Sequence, residues 1–168
     1  NKQVSEMRAG AEGMILSFRL SVEWIKEHNL DVITQIDWRN CFGLLFRPKF
    51  LSIIHSNPIS RPIYPMCHPL YGGATKLITD DGYTFELSEG EMQGHSLSNI
   101  ILGTVSKVFF DDVDEECVKR KPDYKIKAES QFVDDNYTLS SIPDANLRMK
   151  VIMEKGPSYG FYLKDSKS

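Results

Sequence analysis

Ser130-Gln131-Phe132-Val133-Asp134-Asp135-Asn136-Tyr137-Thr138-Leu139 sets two adjacent carboxylates between apolar and β-prone residues. The pattern reads as two short strands joined by a tight turn, with Asp134 and Asp135 at its tip. Asp and Asn favour turns because they hydrogen-bond their own backbone, so a solvated turn is the plain alternative. Two other pairs, Asp80-Asp81 and Asp111-Asp112, fit that alternative. The first runs into Gly82, an ordinary turn; the second opens an acidic run to Glu116 that reads as a solvated surface. Only the pair at 134–135 reads as held rigidly by a buried hairpin, with Phe132 and Val133 running into it and Tyr137 and Leu139 running out. Carboxylates that bind a hard metal ion need rigid support of that kind.

The hairpin sits in a mixed pattern. Residues 11–29 carry Ile15, Phe18, Val22 and Ile25 at helical spacing, widened by Met14, Leu16, Leu20 and Trp24, which predicts a well-buried helix. Residues 31–37 are β-rich and end on Asp37. Residues 38–46 read as a turn or short helix. Arg47-Pro48 opens another helix, stopped by Asn57-Pro58. Four prolines make residues 57–73 an irregular connection or a broken helix, and residues 75–79 and 83–87 flank Asp80-Asp81-Gly82 as a second hairpin. Residues 96–110 predict a helix capped by Ser96, and residues 111–123 a charged connection. Pro143-Asp144 starts a last helix that Gly156-Pro157 ends, followed by a strand-like run at 159–163. The fold class is therefore α+β, a small antiparallel sheet backed by helices.

Length and composition narrow the field. A chain of 168 residues with 41% hydrophobic and 26% charged residues is expected to form one globular domain with a real core. Its net charge of −3 excludes a global basic field, so contact with nucleic acid must rest on local patches or further segments. Cys41, Cys67 and Cys117 lack metal-type spacing and fit an intracellular, reducing compartment, nuclear or organellar. No apolar run is long enough to span a membrane. The chain begins at Asn1 and reads as a piece of something longer, or a processed product.

Asp37 ends one strand, Asp134 and Asp135 tip a hairpin, and a Gln93-Gly94 loop lies between them in the chain. One carboxylate from a strand and a pair from a neighbouring hairpin can hold two Mg²⁺ ions about 4 Å apart, the clamp for in-line phosphoryl transfer. Here the sequence resembles the palm of reverse transcriptases, those of non-LTR retrotransposons in particular. The resemblance runs in order along nearly the whole chain. Residues 9–19 resemble the segment before the palm. Ile36-Asp37-Trp38-Arg39-Asn40-Cys41-Phe42 resembles the first palm motif, an Asp followed five residues on by an aromatic. Residues 89–97 resemble the Gln-Gly motif, Phe132-Val133-Asp134-Asp135 the aromatic-x-Asp-Asp box, and residues 160–167 the segment that follows it.

The resemblance implies an RNA-directed DNA polymerase, with residues 1–30 as the end of the fingers and leading helix, and 31–168 as the palm. It implies Asp37, Asp134 and Asp135 as catalytic metal ligands for two Mg²⁺ ions, with Mn²⁺ as a substitute. Phe42 is implied as the steric gate against a 2′-hydroxyl, Gln93 and Gly94 as nucleotide and template contacts, and Lys167 as a neighbour of the leaving phosphates. RNA template, DNA primer and dNTP are the implied partners, with further protein segments or subunits supplying fingers and thumb. The chain departs from the family at His95, where Asp is usual, at Ser96, where Pro is usual, and at Gly43-Leu44 after the gate. A second reading is a domesticated, catalytically silent palm that serves as a structural or interaction subunit. A third, an RNA-templated RNA polymerase, shares the carboxylates, but Phe42 as a sugar gate argues against it.

Overall fold

The computed structural model describes residues 10–27, 31–92 and 94–164. The order of elements is α1 (Gly10–Glu27), β1 (Asp31–Ile36), α2 (Cys41–Leu44), α3 (Arg47–Ser56), α4 (Tyr64–Tyr71), β2 (Thr75–Ile78), β3 (Thr84–Leu87), α5 (Ser98–Arg120), β4 (Ile126–Phe132), β5 (Asp135–Ser141) and α6 (Ile142–Lys155). This is the α+β class expected. The main sheet is antiparallel in the order β1-β5-β4, and β2 and β3 form a separate hairpin.

Strand β5 is central, and its alternation decides what each face of the sheet meets. Asn136, Thr138 and Ser140 are buried on the face toward α5 and α6, as is Gln131 of β4. Tyr137 points the other way, edge-on to Phe18 of α1 at 5.8 Å between ring centroids. On β4 and β5 the inner face is therefore polar, and Asn136 and Glu129 are satisfied around one guanidinium. Arg148 of α6, 3% exposed, donates to Asp114 of α5 at 3.0 Å and to Glu129 of β4 at 2.6 Å. Asn136 of β5 joins through its own bond to Glu129 at 3.1 Å, Tyr124 donates to Asp114 at 2.9 Å, and Phe110 lies under the guanidinium at 4.8 Å. Burial disfavours the Arg148 charge, but the two carboxylates outweigh it and hold the group protonated.

The apolar core lies between the helices. Phe50, Ile53 and Ile54 of α3, Cys67 and Tyr71 of α4, Val105, Phe109 and Val113 of α5, and Val151 and Ile152 of α6 are all buried. Trp38, directly after β1, stacks on Phe161 at 4.9 Å and meets Phe109 edge-on at 5.8 Å. The strand-like run expected at 159–163 contributes a bridge, Trp38 to Leu163, rather than a full strand. Cys41, Cys67 and Cys117 are buried and free. Among the described residues, no helix is long and apolar enough to cross a membrane.

Three expectations are corrected. The first helix is not well buried: Leu16 is 58% exposed and Trp24 42%, because among the described residues α1 packs mainly on β1 and β4 at the outer face of the sheet. The stretch 111–123 is not a connection, since α5 runs on to Arg120. Val113 and Cys117 continue its apolar face, Lys107–Asp111 and Arg120–Glu116 pair along the helix, and the half-buried Asp112 and Asp114 accept from Tyr159 and Arg148. Ser96 is not the N-cap; the helix opens after Leu97, and Ser98 Oγ donates back to Met92 O at 2.7 Å.

Replacing Arg148 by Met strands Glu129 and Asp114 without their cation. The expected loss is about 3–5 kcal/mol of unfolding free energy, read by urea denaturation.

Candidate functional site

The β4–β5 turn is displaced by one residue from its expected place. Phe132 pairs with Asp135, so Val133 and Asp134 form the two-residue loop and Asp135 is the first residue of β5. Asp135 is thus not at the tip. Val133 has φ +53°, a left-handed conformation that a β-branched residue adopts only under strain. Gln131, 1% exposed, donates from Nε2 to Val133 O at 3.1 Å and braces the loop from within the sheet. Asp37 follows Ile36, whose strand partner is Asn136, so it lies beside the Asp135 end of the hairpin.

A cleft of about 700 Å³ opens at this end of the sheet. Phe42, Gly94, His95, Val133, Asp134 and Asp135 are among the residues that line it. Four expected site residues from three distant segments, Phe42, Gly94, Asp134 and Asp135, therefore share one wall system. Gln93 and Lys167 lie outside the described residues. Asp37 stands at the margin, exposed, and accepts from Lys164 Nζ at 2.9 Å. The bond to Asp37, reinforced by its charge and then by that of Asp134, raises the Lys164 ammonium above its ordinary range and keeps it charged.

Sequence reasoning missed Asn99 and Lys164 as parts of this environment, and had Asn40 and His95 only as a motif match and a departure from the motif. Asn40 has a weak signal, since Asn tolerates φ +44° at the start of α2. Lys164 is three residues from the lysine singled out in the sequence, and only the bridge of residue 163 to Trp38 reveals it.

The Phe42 segment is fixed from both sides. Phe42 O accepts from Glu91 N, Leu45 O from Gly90 N, and Tyr159 O from Phe46 N, at 2.8–3.1 Å. These contacts are so close that a Cβ on Gly90 would meet Gly43 O at 2.3 Å, and one on Gly160 would meet Leu44 O at 1.9 Å. Beside Gly90, Glu91 is buried, and neither carboxyl oxygen has a hydrogen-bond partner among the described residues. Burial pushes its pKa up to about 9, opposed by the nearby Ser98 hydroxyl, so it is neutral at pH 7. Burial first, and then the charges of Asp134 and Glu91, push the Cys41 thiol up to about 12, so it is no nucleophile.

For a hard divalent ion, Asp37, Asp134 and Asp135 are right in kind, being oxygen donors. Among the described residues, however, no three His, Cys, Asp or Glu side chains converge to hold an ion. In this arrangement Lys164 supplies the cation at Asp37.

The fold has known counterparts. It is the fold of a telomerase segment. Telomerase of Candida albicans in complex with a TWJ fragment of telomeric RNA matches with a TM-score of 0.68 over 97% of this chain, at 13% identity. The corresponding complex from Candida tropicalis gives 0.61 over 92% at 16% identity, and apo telomerase from Candida tropicalis 0.64 over 95% at 14%. The chain spans 30%, 28% and 31% of those three chains. No family model and no curated protein matches the sequence. These likenesses concern the fold, and carry nothing about retrotransposon enzymes in particular.

Two measurements probe the local physics. Val133→Gly should be at least as stable as Val133→Ala in thermal unfolding, because glycine relieves the left-handed strain; in an unstrained strand it is worse by roughly 0.5–1 kcal/mol. For Glu91, the folded pKa is raised, so its contribution is complete below the ordinary value of 4.5 and is lost as pH rises toward about 9. Between those limits the unfolded chain releases a proton that the folded chain keeps. Glu91→Gln should therefore flatten the stability-versus-pH slope by about 1.4 kcal/mol per pH unit between pH 5 and 8, measured by denaturant titration at several pH values.

Proposed function

We propose that the cleft is the nucleotidyl-transfer site of an RNA-directed DNA polymerase palm that adds dNTP to a primer 3′-end. The observation that supports this reading is the meeting of Phe42, Gly94, Asp134 and Asp135 in one cleft, on a telomerase-like fold, with Asp37 at its edge. In this reading Asp37, Asp134 and Asp135 would hold two Mg²⁺ ions, or Mn²⁺ in their place. When bound, such ions supply charge stabilisation for phosphoryl transfer.

The chain's own residues do the rest. Phe42 presents its ring to the sugar and excludes a 2′-hydroxyl, selecting dNTP. Gly94, at φ +88° with nothing within 4 Å of where a Cβ would stand, lets backbone approach a nucleotide. Gln93 is assigned to the same nucleotide, and Lys167 to the leaving phosphates. The braced Val133-Asp134 loop keeps the acidic pair from relaxing, which matters because a 1 Å misplacement costs roughly a hundredfold in rate. An RNA template and a DNA primer would be gripped by fingers and thumb from segments other than this one, since telomerases of this fold are about three times longer.

Lys164 favours the second reading, a silent palm that serves as an interaction subunit, because a tethered ammonium already neutralises Asp37. Thermal shift with saturating Mn²⁺ separates the two. For the polymerase reading, wild type should gain about 5–10 °C at a hundredfold excess over Kd. Asp134→Asn should lose that gain, and Lys164→Met, which frees Asp37, should reach it at lower Mn²⁺. Equal responses of wild type and Asp134→Asn would establish the silent palm.

A further inference from the structure

A second hollow, about 570 Å³, lies between α3, α4 and the base of the β2–β3 hairpin. Arg47, Ser52, His55, Tyr64, His68 and Ser88 are among the polar and aromatic groups of its wall, with Tyr71 beneath the Arg47 guanidinium at 5.4 Å. Its volume is that of an ordinary small-ligand pocket. No carboxylate lines it among the described residues, although the chain carries 23 Asp and Glu against 20 Lys and Arg. No residue lines both this hollow and the cleft described above.

Two features of the wall point to one class of ligand. Arg47 is 3% exposed, and its Nε and Nη1 are committed to Gly90 O at 2.8 Å, Gly73 O at 2.7 Å and Leu87 O at 2.8 Å. Those three carbonyls hold the guanidinium rigidly, while its Nη2 has no protein acceptor among the described residues. A preorganised fork with spare donors suits a phosphate. Beside it stand three rings in series, His55 to Tyr64 at 4.8 Å and Tyr64 to His68 at 5.4 Å. Exposed aromatic faces next to fixed positive charge are the elements that take a nucleobase and its phosphate.

We propose that this hollow binds a nucleotide unit, with its phosphate on Arg47 Nη2 and the Ser52 and Ser88 hydroxyls, and its base against Tyr64 and the flanking histidines. A free nucleotide and one unit of a single strand share that chemistry. The site is independent of the polymerase reading, since it uses none of the cleft residues.

Fluorescence anisotropy of the whole chain with a labelled oligouridylate ten-mer tests it, with unlabelled uridine monophosphate as competitor. Tyr64→Ala should weaken binding by about 5- to 150-fold, the value of one stacked base, and Tyr64→Phe should keep it. His68→Ala should weaken it in the same direction, and Asp134→Asn should leave it unchanged. Displacement by millimolar monophosphate assigns the hollow to free nucleotides; its failure to displace assigns it to a strand. Unaltered binding in Tyr64→Ala and His68→Ala, or a loss in Tyr64→Phe equal to that in Tyr64→Ala, would overturn the proposal. Failure of Asp134→Asn to alter the Mn²⁺ response bears only on the cleft and leaves this result standing.

Discussion

One buried guanidinium holds the sheet to the helices. Arg148 binds α5, β4 and α6 at once, and Asn136 brings β5 into the same network through Glu129. The inner face of β4 and β5 is Asn136, Thr138, Ser140 and Gln131, with Ile36 of β1 as an apolar neighbour, so apolar burial alone does not hold the sheet there. It is held by directional bonds, which fix register and angle more narrowly than a greasy contact does. The acidic loop ends two residues before Asn136, so the same bonds that secure the sheet also aim its end.

The cleft inherits this rigidity from two sides. One wall is the loop at Val133-Asp134, tied to the sheet through Gln131. The other is the Phe42 segment, caught between the backbones at Gly90 and Gly160. Neither wall is built on apolar packing alone. Backbone bonds at 2.8–3.1 Å set the second wall, and side-chain to backbone bonds brace the first. The acidic floor between them carries like charges, and Lys164 is the positive group that offsets them at Asp37.

Much of this was legible in residue order, and the reasons differ by element. The hairpin, β1, α3 and α6 carry local punctuation: alternation in the strands, Pro48 and Pro143 at helix starts, Pro58 after a helix end. The length of α5 was hidden because its last turns are mostly charged, and Val113 and Cys117 are a thin apolar thread through them. The exposure of α1 was hidden for another reason: periodicity states that a helix has an apolar face, not that anything covers it. The turn was misplaced by one residue because Val133 adopts a conformation its own propensity opposes. Arg148 did have a signal, standing one turn before Val151 and Ile152 on the buried face of α6, but a charged residue there reads as solvent-facing until its partners on other elements are known. The grouping of Phe42, Gly94 and the acidic pair came from motif order; the place of Lys164 follows from a tertiary bridge that no local pattern contains.

The attachment of the β2–β3 hairpin has an evolutionary consequence. The chain enters it just after Gly73 and leaves it at Leu87, and one Arg47 nitrogen binds both carbonyls. Between those two points every residue but Thr75 is exposed. The core sees the ends of the segment and little of its content. Loop-closure entropy rises only slowly with length, so this is the position at which an insertion of many residues, or a whole accessory module, is accepted with the α+β core left intact.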